Sequence, residues 1–159
     1  MRAAVLTVSD GVARGERADE SGALLEELLA GEGYDVARRV VPDERSEIAA
    51  AIEELSDEAA LVMTTGGTGV APRDVTPEAT ASVVERQVPG LAEAIRADAF
   101  GRTPHGLLSR GIAGVRGSTL VINLPGSTGG CRDGFGVVRE ALPHALELLA
   151  GEPARHRQT

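Results

Sequence analysis

The chain has 159 residues, 42% of them hydrophobic and only 2% aromatic, which predicts a single compact domain with an aliphatic core. The formal net charge of -8 argues against nonspecific binding to nucleic acid or to an anionic membrane. All 16 basic residues are arginine, so no lysine can act as a Schiff base or as the cation of a phosphate loop.

Secreted, membrane-spanning and zinc-binding classes find no support in the sequence. The only cysteine is Cys131, so no internal disulfide can form, and no cysteine–histidine spacing matches a zinc site. The N-terminal segment turns polar too soon for a signal peptide, and no apolar run reaches membrane-spanning length. We therefore expect a cytoplasmic protein. Cys131 stands beside Arg132, which leaves an activated thiol and a passive one as alternatives.

Short β-branched apolar runs alternate with helical patterns along the chain. The runs predict strands at residues 3–9, 34–41, 59–65 and 118–126. The helix signals begin at Asp19 or Ser21, after Pro42, at Thr76, at Pro89, and as two pieces around Pro143. This alternation predicts an α/β protein with a mostly parallel sheet, a single domain over residues 1–151 and a frayed tail over residues 152–159.

The polar and glycine-rich segments that follow the strands are the strongest clue to a site. The four segments are Ser9-Asp10-Gly11, Pro42-Asp43-Glu44, residues 66–74 and residues 123–130. In such sheets, ligands bind beyond the carboxyl ends of the strands. We therefore expect the four segments to meet at one edge of the sheet.

The sequence Gly66-Gly67-Thr68-Gly69 allows backbone N–H groups to approach an anion, because few side chains obstruct it. It lacks the lysine of a Walker loop and the third glycine of a dinucleotide-binding loop. On this pattern alone, a structural bend and a ligand-binding loop are equally good interpretations.

Asp43 and Asp74 each have a structural and a functional interpretation. Asp43 precedes a predicted helix, for which it could be the N-cap. Asp74 stands beside Arg73 and could stabilise a turn or form an ion pair. If both carboxylates face one crevice, they form a site for Mg²⁺, which commonly binds one or two carboxylates together with substrate phosphates.

The segment from residue 99 to residue 132 has no acidic residue, although the chain as a whole is acidic. Its four arginines are Arg102, Arg110, Arg116 and Arg132. This is either chance or an anion pocket, since arginine is suited to bidentate contacts with phosphate.

Six motifs occur in order from about residue 5 to residue 151: SDGVARGERADESG, VVPDE, TTGGTGVAPRDVTPEAT, PGLAEAIR, LSRGIAGVRGSTLVINLPGS and LPHALELLAG. Together they resemble the molybdopterin adenylyltransferase family of the Mog and MoaB type. The resemblance implies a three-layer α/β/α molybdopterin-binding fold, assembled as a homotrimer or as a dimer of trimers. It also implies a Mg²⁺-dependent reaction in which ATP adenylylates molybdopterin and pyrophosphate is released.

The resemblance also assigns roles to residues. It implies that Asp43 and Asp74 are catalytic carboxylates and ligands of Mg²⁺. The residues expected to bind substrate and nucleotide are Ser9, Asp10, Gly66, Gly67, Thr68, Gly69, Arg73, Ser109, Arg110, Asn123, Pro125, Gly126 and Ser127. The chain departs from the family pattern P-G-x-P at Thr128, which replaces the second proline. Asp133 stands near the position at which the family pattern has an acidic residue.

Two other functions are compatible with these motifs. A non-catalytic protein of the MoaB branch would bind molybdopterin without adenylylating it, and would show ligand-induced stabilisation without releasing pyrophosphate. A nucleotide-binding regulator unrelated to molybdenum would bind ATP and not molybdopterin.

Overall fold

The computed structural model describes residues 1–151, and the predicted frayed tail at residues 152–159 lies outside the described residues. The strands are β1 (Arg2–Val8), β2 (Asp35–Val41), β3 (Leu61–Thr65), β4 (Arg86–Gln87), β5 (Ala113–Arg116) and β6 (Thr119–Leu124). The helices are α1 (Asp10–Ala13), α2 (Glu20–Gly31), α3 (Arg45–Glu58), α4 (Thr76–Val83), α5 (Pro89–Arg102), α6 (Thr128–Val138) and α7 (Leu142–Leu149), with a 3₁₀ helix at Pro104–Leu108.

The strands form one sheet in the order β2-β1-β3-β6-β5-β4. The first four are parallel to one another, whereas β5 is antiparallel to β6 and β4 is antiparallel to β5. The predicted α/β class with a mostly parallel sheet is therefore confirmed. Strands β4 and β5 were not predicted, because β4 has only two residues and the β5 sequence AGVR contains a glycine and gives no clear strand pattern.

Each face of the sheet packs against its own layer of helices, because successive side chains of a strand point to opposite faces. One buried cluster joins the sheet to α2, α5, α6 and α7, and includes Leu25, Ile95, Phe135 and Leu146. The other joins it to α3 and α4 and includes Ile52. The three layers that the sequence resemblance implies are thus present. Among residues 1–151, no helix is both long and apolar enough to cross a membrane.

The helix starts agree with prediction, but one proposed capping residue does not. Helix α2 begins as predicted, with the Asp19 side chain accepting a hydrogen bond from the Gly22 N–H at 3.0 Å. Helix α4 begins at Thr76 as predicted, and the Thr76 hydroxyl donates to the Gly66 carbonyl at 2.9 Å, which ties the helix to the glycine turn. The proposed capping role of Asp43 is wrong, because the residue at the N-cap of α3 is Glu44.

The two predicted C-terminal helical pieces are confirmed, but the break precedes Pro143. Helix α6 ends at residue 138 and α7 begins at residue 142, with Pro143 in its first turn. Proline fits there because the first backbone N–H groups of a helix have no partner within it.

The register of the parallel strands determines where a site can form. Thr7 of β1 is level with Thr65 of β3, which is level with Leu124 of β6, and Val8 is level with Val41 of β2. The residues that follow these four strands therefore emerge at the same edge of the sheet, as the sequence predicts.

Candidate functional site

A cavity of about 700 Å³ opens at this edge of the sheet. The predicted residues that line it are Ser9, Asp43, Gly66, Gly67, Asp74, Gly126 and Ser127. The predicted residues that do not line it are Asp10, Thr68, Gly69, Arg73, Ser109, Arg110, Asn123 and Pro125. The cavity therefore brings together both proposed catalytic carboxylates, the glycine turn and the start of α6.

Asp43 is held by a reciprocal pair of hydrogen bonds with Asp10. The Asp10 N–H donates to Asp43 Oδ2 at 2.9 Å, and the Asp43 N–H donates to Asp10 Oδ1 at 3.0 Å. Arg73 completes the arrangement with two 3.0 Å hydrogen bonds to the Asp10 carboxylate, and it also pairs with Glu44 at 3.0 Å. Within residues 1–151 Asp43 Oδ1 has no hydrogen-bond partner, so it is available to a ligand.

The two carboxyl groups of this pair have opposite pKa shifts. The hydrogen bond from Arg73 holds the pKa of Asp10 below its usual value, aided by the Asp43 N–H. Burial raises the pKa of Asp43, and the neighbouring charges of Asp10 and Asp74 raise it further against the opposing hydrogen bond from Asp10. Arg73 thus stabilises the charge of Asp10 by direct hydrogen bonds, whereas for Asp43 the Arg73 charge and the Asp10 N–H do not offset burial and the neighbouring carboxylates.

Asp43→Asn is expected to raise the midpoint of thermal unfolding at about pH 7. A carboxyl whose pKa is raised by folding is destabilising when ionised, and this penalty is absent below its unfolded pKa and grows as the pH rises through the folded pKa. The asparagine oxygen can still accept the Asp10 N–H. Thermal melts followed by circular dichroism should therefore show a higher unfolding midpoint for Asp43→Asn than for wild type at about pH 7, and no difference at about pH 3.

The control for this prediction is Asp35→Asn, which removes an exposed carboxylate at the start of β2, away from the cavity. It should show no comparable gain near neutral pH. A loss of stability in Asp43→Asn at about pH 7 would contradict the proposed desolvation of Asp43.

Asp74 reaches the cavity from a loop that Arg110 holds in place. Asp74 Oδ2 accepts a hydrogen bond from the Ala71 N–H at 3.0 Å, and Oδ1 has no such partner within residues 1–151. Arg110 donates to the carbonyls of Gly69 and Asp74, both at 2.8 Å, and forms an ion pair with Glu78. Arg110 therefore contacts the loop and not the cavity, and the Arg110 hydrogen bond holds the pKa of Glu78 low.

The glycine turn has the backbone conformation that glycine favours. Gly66 and Gly67 have φ values of 101° and 68°, in the left-handed half of conformational space. The Gly66 N–H donates to the Leu124 carbonyl at 3.2 Å, so it is not available to a ligand. In the described part of the chain, the N–H groups of Gly67, Thr68 and Gly69 have no hydrogen-bond acceptor, and an anion could engage them.

The arginines between residues 99 and 132 do not form the predicted anion pocket. Arg102 pairs with Asp98 and Asp133, Arg110 pairs with Glu78, and none of the four lines the cavity. Of the two alternatives, the anion pocket is not supported, and for Arg102 and Arg110 the reason is that their acidic partners come from outside the segment.

Asn123 and Cys131 have structural surroundings. The buried Asn123 side chain donates to Thr64 and Thr80, both at 3.0 Å, and accepts the Ile112 N–H at 3.1 Å, which ties β6 to its neighbours. Cys131 is buried, and this burial raises the pKa of its thiol to about 11, which favours the passive interpretation of this cysteine.

Part of the cavity lining, mainly the segment around the start of α2, was not predicted from the sequence. The missed lining residues with polar side chains are Thr7, Arg17, Asp19, Glu20, Ser21, Thr65 and Thr128. The Thr7 hydroxyl bonds to the Asp19 carboxylate at 2.9 Å, which brings the start of α2 to the end of β1. The helix-start signal at Asp19 could have indicated this, because the helix after a parallel strand returns along the sheet.

The comparison with known families decides the family of this chain. Residues 4–144 match the model described as "probable molybdopterin binding domain". The chain belongs to this family. The resemblance predicted from the motifs is thereby confirmed.

Relatives within the family differ in length. The chain is 39% identical to the molybdenum cofactor synthesis protein cinnamon of Drosophila melanogaster, covering 98% of this chain but only 26% of that protein. It is 38% identical to the molybdopterin adenylyltransferase of Helicobacter pylori J99, covering 92% of this chain and 86% of that one. The chain thus spans about a quarter of the first relative and most of the second.

A solved structure shows the same fold. The molybdopterin biosynthesis enzyme MoaB from Thermus thermophilus is 48% identical and superposes with a TM-score of 0.89, covering 97% of this chain and 99% of that one.

Proposed function

We propose that this protein adenylylates molybdopterin, using ATP and Mg²⁺ and releasing pyrophosphate. One observation carries the proposal: Asp43 and Asp74 line the same cavity as the glycine turn, and each has one carboxylate oxygen without a hydrogen-bond partner within residues 1–151. The adenylyltransferase of Helicobacter pylori, at 38% identity over most of both chains, supports the same reaction.

The residues of the cavity fit a magnesium ion that arrives with a nucleotide. Carboxylate oxygens are the ligands that Mg²⁺ prefers, and burial leaves the charge of Asp43 poorly solvated, so that a cation would stabilise it. Among residues 1–151, no three His, Cys, Asp or Glu side chains are arranged to hold a metal by themselves. Two carboxylates plus substrate phosphates match the usual mode of Mg²⁺ binding. When bound, the ion would supply the positive charge that phosphates and a pyrophosphate leaving group require.

The chain's own residues would bind and orient the two substrates. The N–H group of Gly67, which lines the cavity, would donate to a phosphate oxygen, since it has no acceptor within residues 1–151. The attacking group, the terminal phosphate of molybdopterin, is already an anion, so no protein base is needed. The main contributions of the protein would be the position of the reactants and the neutralisation of charge.

A pyrophosphate-release assay tests the proposed function. Purified protein with ATP, Mg²⁺ and molybdopterin should release pyrophosphate, and the release should stop when molybdopterin or Mg²⁺ is omitted. Stabilisation by molybdopterin without pyrophosphate would instead identify a non-catalytic binding protein. Stabilisation by ATP but not by molybdopterin would favour a nucleotide-binding regulator.

The homotrimeric assembly and the cytoplasmic location stay predictions. An apolar surface at the end of α5 and on the 3₁₀ helix supports self-association, because Phe100, Leu107 and Leu108 are 54%, 64% and 50% exposed. We propose the homotrimer, which a molar mass measured in solution tests, with a dimer of trimers as the larger alternative.

A further inference from the structure

We propose that Arg17 binds a phosphate group of a substrate in the cavity. The proposal rests on the function proposed above, to which it adds a binding residue. The cavity is lined by the four carboxylates of Asp19, Glu20, Asp43 and Asp74, and Arg17 is the only cationic side chain among the described residues that line it. Substrates that carry several phosphates would meet a strongly acidic wall without it.

The guanidinium of Arg17 is poorly used within the described chain. Its only hydrogen bond there is a long one, from Nη2 to the Ser9 hydroxyl at 3.4 Å, and no carboxylate within residues 1–151 pairs with it. The arginines around it are engaged: Arg14 pairs with Glu16 at 3.8 Å, and Arg73 pairs with Asp10 and Glu44. Most of the five N–H donors of Arg17 are therefore available to a ligand.

Asp19 forms no ion pair with Arg17, although it is only two residues away along the chain. Both oxygens of Asp19 are in contact with the Thr7 hydroxyl, at 2.9 and 3.0 Å, and one also accepts the Gly22 N–H. These contacts turn the Asp19 carboxylate toward β1 and the start of α2. The positive charge of Arg17 is thus not paired with Asp19 and can attract an anionic group that enters the cavity.

Gly11 explains how the Arg17 side chain reaches this position. A Cβ atom built at residue 11 would lie 3.1 Å from Cγ, 3.3 Å from Cδ and 3.4 Å from Nε of Arg17. The stem of Arg17 therefore lies against the bare backbone of Gly11, which directs the guanidinium toward Ser9 at the cavity wall.

The test compares Arg17→Gln and Arg17→Lys with wild type and with the control Arg14→Gln. Arg14 lies on the same segment and does not line the cavity. We expect Arg17→Gln to raise the KM of one substrate about tenfold, as loss of a charge-assisted hydrogen bond does, with Arg17→Lys in between and Arg14→Gln unchanged. The affected substrate identifies the source of the phosphate, ATP or molybdopterin, because each is varied while the other saturates.

Calorimetric titration of ATP and of molybdopterin separates this proposal from the proposed function. If wild type binds both ligands but releases no pyrophosphate, the proposed adenylyl transfer is wrong. The role of Arg17 is still tested in that case, by comparing the dissociation constants of Arg17→Gln and wild type. A weaker binding of one ligand by Arg17→Gln, with a reduced dependence on salt, supports the role. Equal dissociation constants for Arg17→Gln and wild type, or an equal loss in Arg14→Gln, would overturn it.

Discussion

Asp74→Asn is expected to lower the rate of adenylyl transfer by about a hundredfold or more while leaving the binding of molybdopterin nearly unchanged. The amide oxygen of asparagine can still accept the Ala71 N–H, and Arg110 still holds the backbone of residue 74. The substitution therefore removes a negative charge at the cavity without releasing the loop. Rates of pyrophosphate release at saturating ATP and Mg²⁺, with molybdopterin binding measured by titration, check this.

The matched control is again Asp35→Asn, which removes the same charge from the far end of β2 and should react at the wild-type rate. Asp43→Asn should resemble Asp74→Asn in rate, because both would hold the same ion. Equal turnover by Asp74→Asn and wild type would remove the carboxylate from the mechanism. A loss of molybdopterin binding as large as the loss of rate would assign Asp74 to substrate binding.

Gly66→Ala is expected to destabilise the fold by about 3 kcal/mol or more. Two effects combine at this residue. Its φ of 101° is unfavourable for any residue with a Cβ, and a Cβ there would lie 2.2 Å from the Val8 carbonyl oxygen. That oxygen belongs to the backbone of a central strand and cannot move away as a flexible side chain could. Urea unfolding gives the change in free energy from the midpoint and slope.

Two other glycines separate the two effects. Gly33 has a φ of 92° and no atom within 4 Å of the place a Cβ would take, so Gly33→Ala should show only the conformational penalty of about 1 to 2 kcal/mol. Gly136 lies on the exposed side of α6 with open space around it, so Gly136→Ala should be neutral or stabilising by up to about 1 kcal/mol. If Gly66→Ala were no less stable than Gly33→Ala, the contact with Val8 would carry no energetic weight.

Part of the site could be predicted because its residues follow strands directly. Asp43 and Gly66 stand within two positions of the ends of β2 and β3, Asp74 lies further along the loop that follows β3, and the parallel register brings those strand ends to one edge. The strands themselves could be predicted from local sequence, because runs such as residues 3–9 and 59–65 are short and apolar. Strand β4 escaped prediction because two exposed residues carry no pattern.

The rest of the site depends on contacts between distant segments. The arginines of residues 99–132 look like an anion pocket only while their partners are unknown, and Glu78 and Asp98 lie outside that range. Arg17 was missed for the complementary reason, because nothing in the sequence shows that its acidic neighbour Asp19 is occupied by Thr7. Local patterns predict elements, whereas the pairing of charges is decided by the fold.

The position of β6 within the sheet affects how a nascent chain can fold. β6 lies between β3 and β5, although it is made after both of them. During synthesis, the outer edge of β3, with the fully buried sequence LVMTT, has no neighbour until residues 119–124 have left the ribosome. An unpaired apolar edge is a template for aggregation. An N-terminal fragment that ends before residue 119 would therefore aggregate, and a chaperone that shields residues 61–65 would protect the chain at its most vulnerable stage.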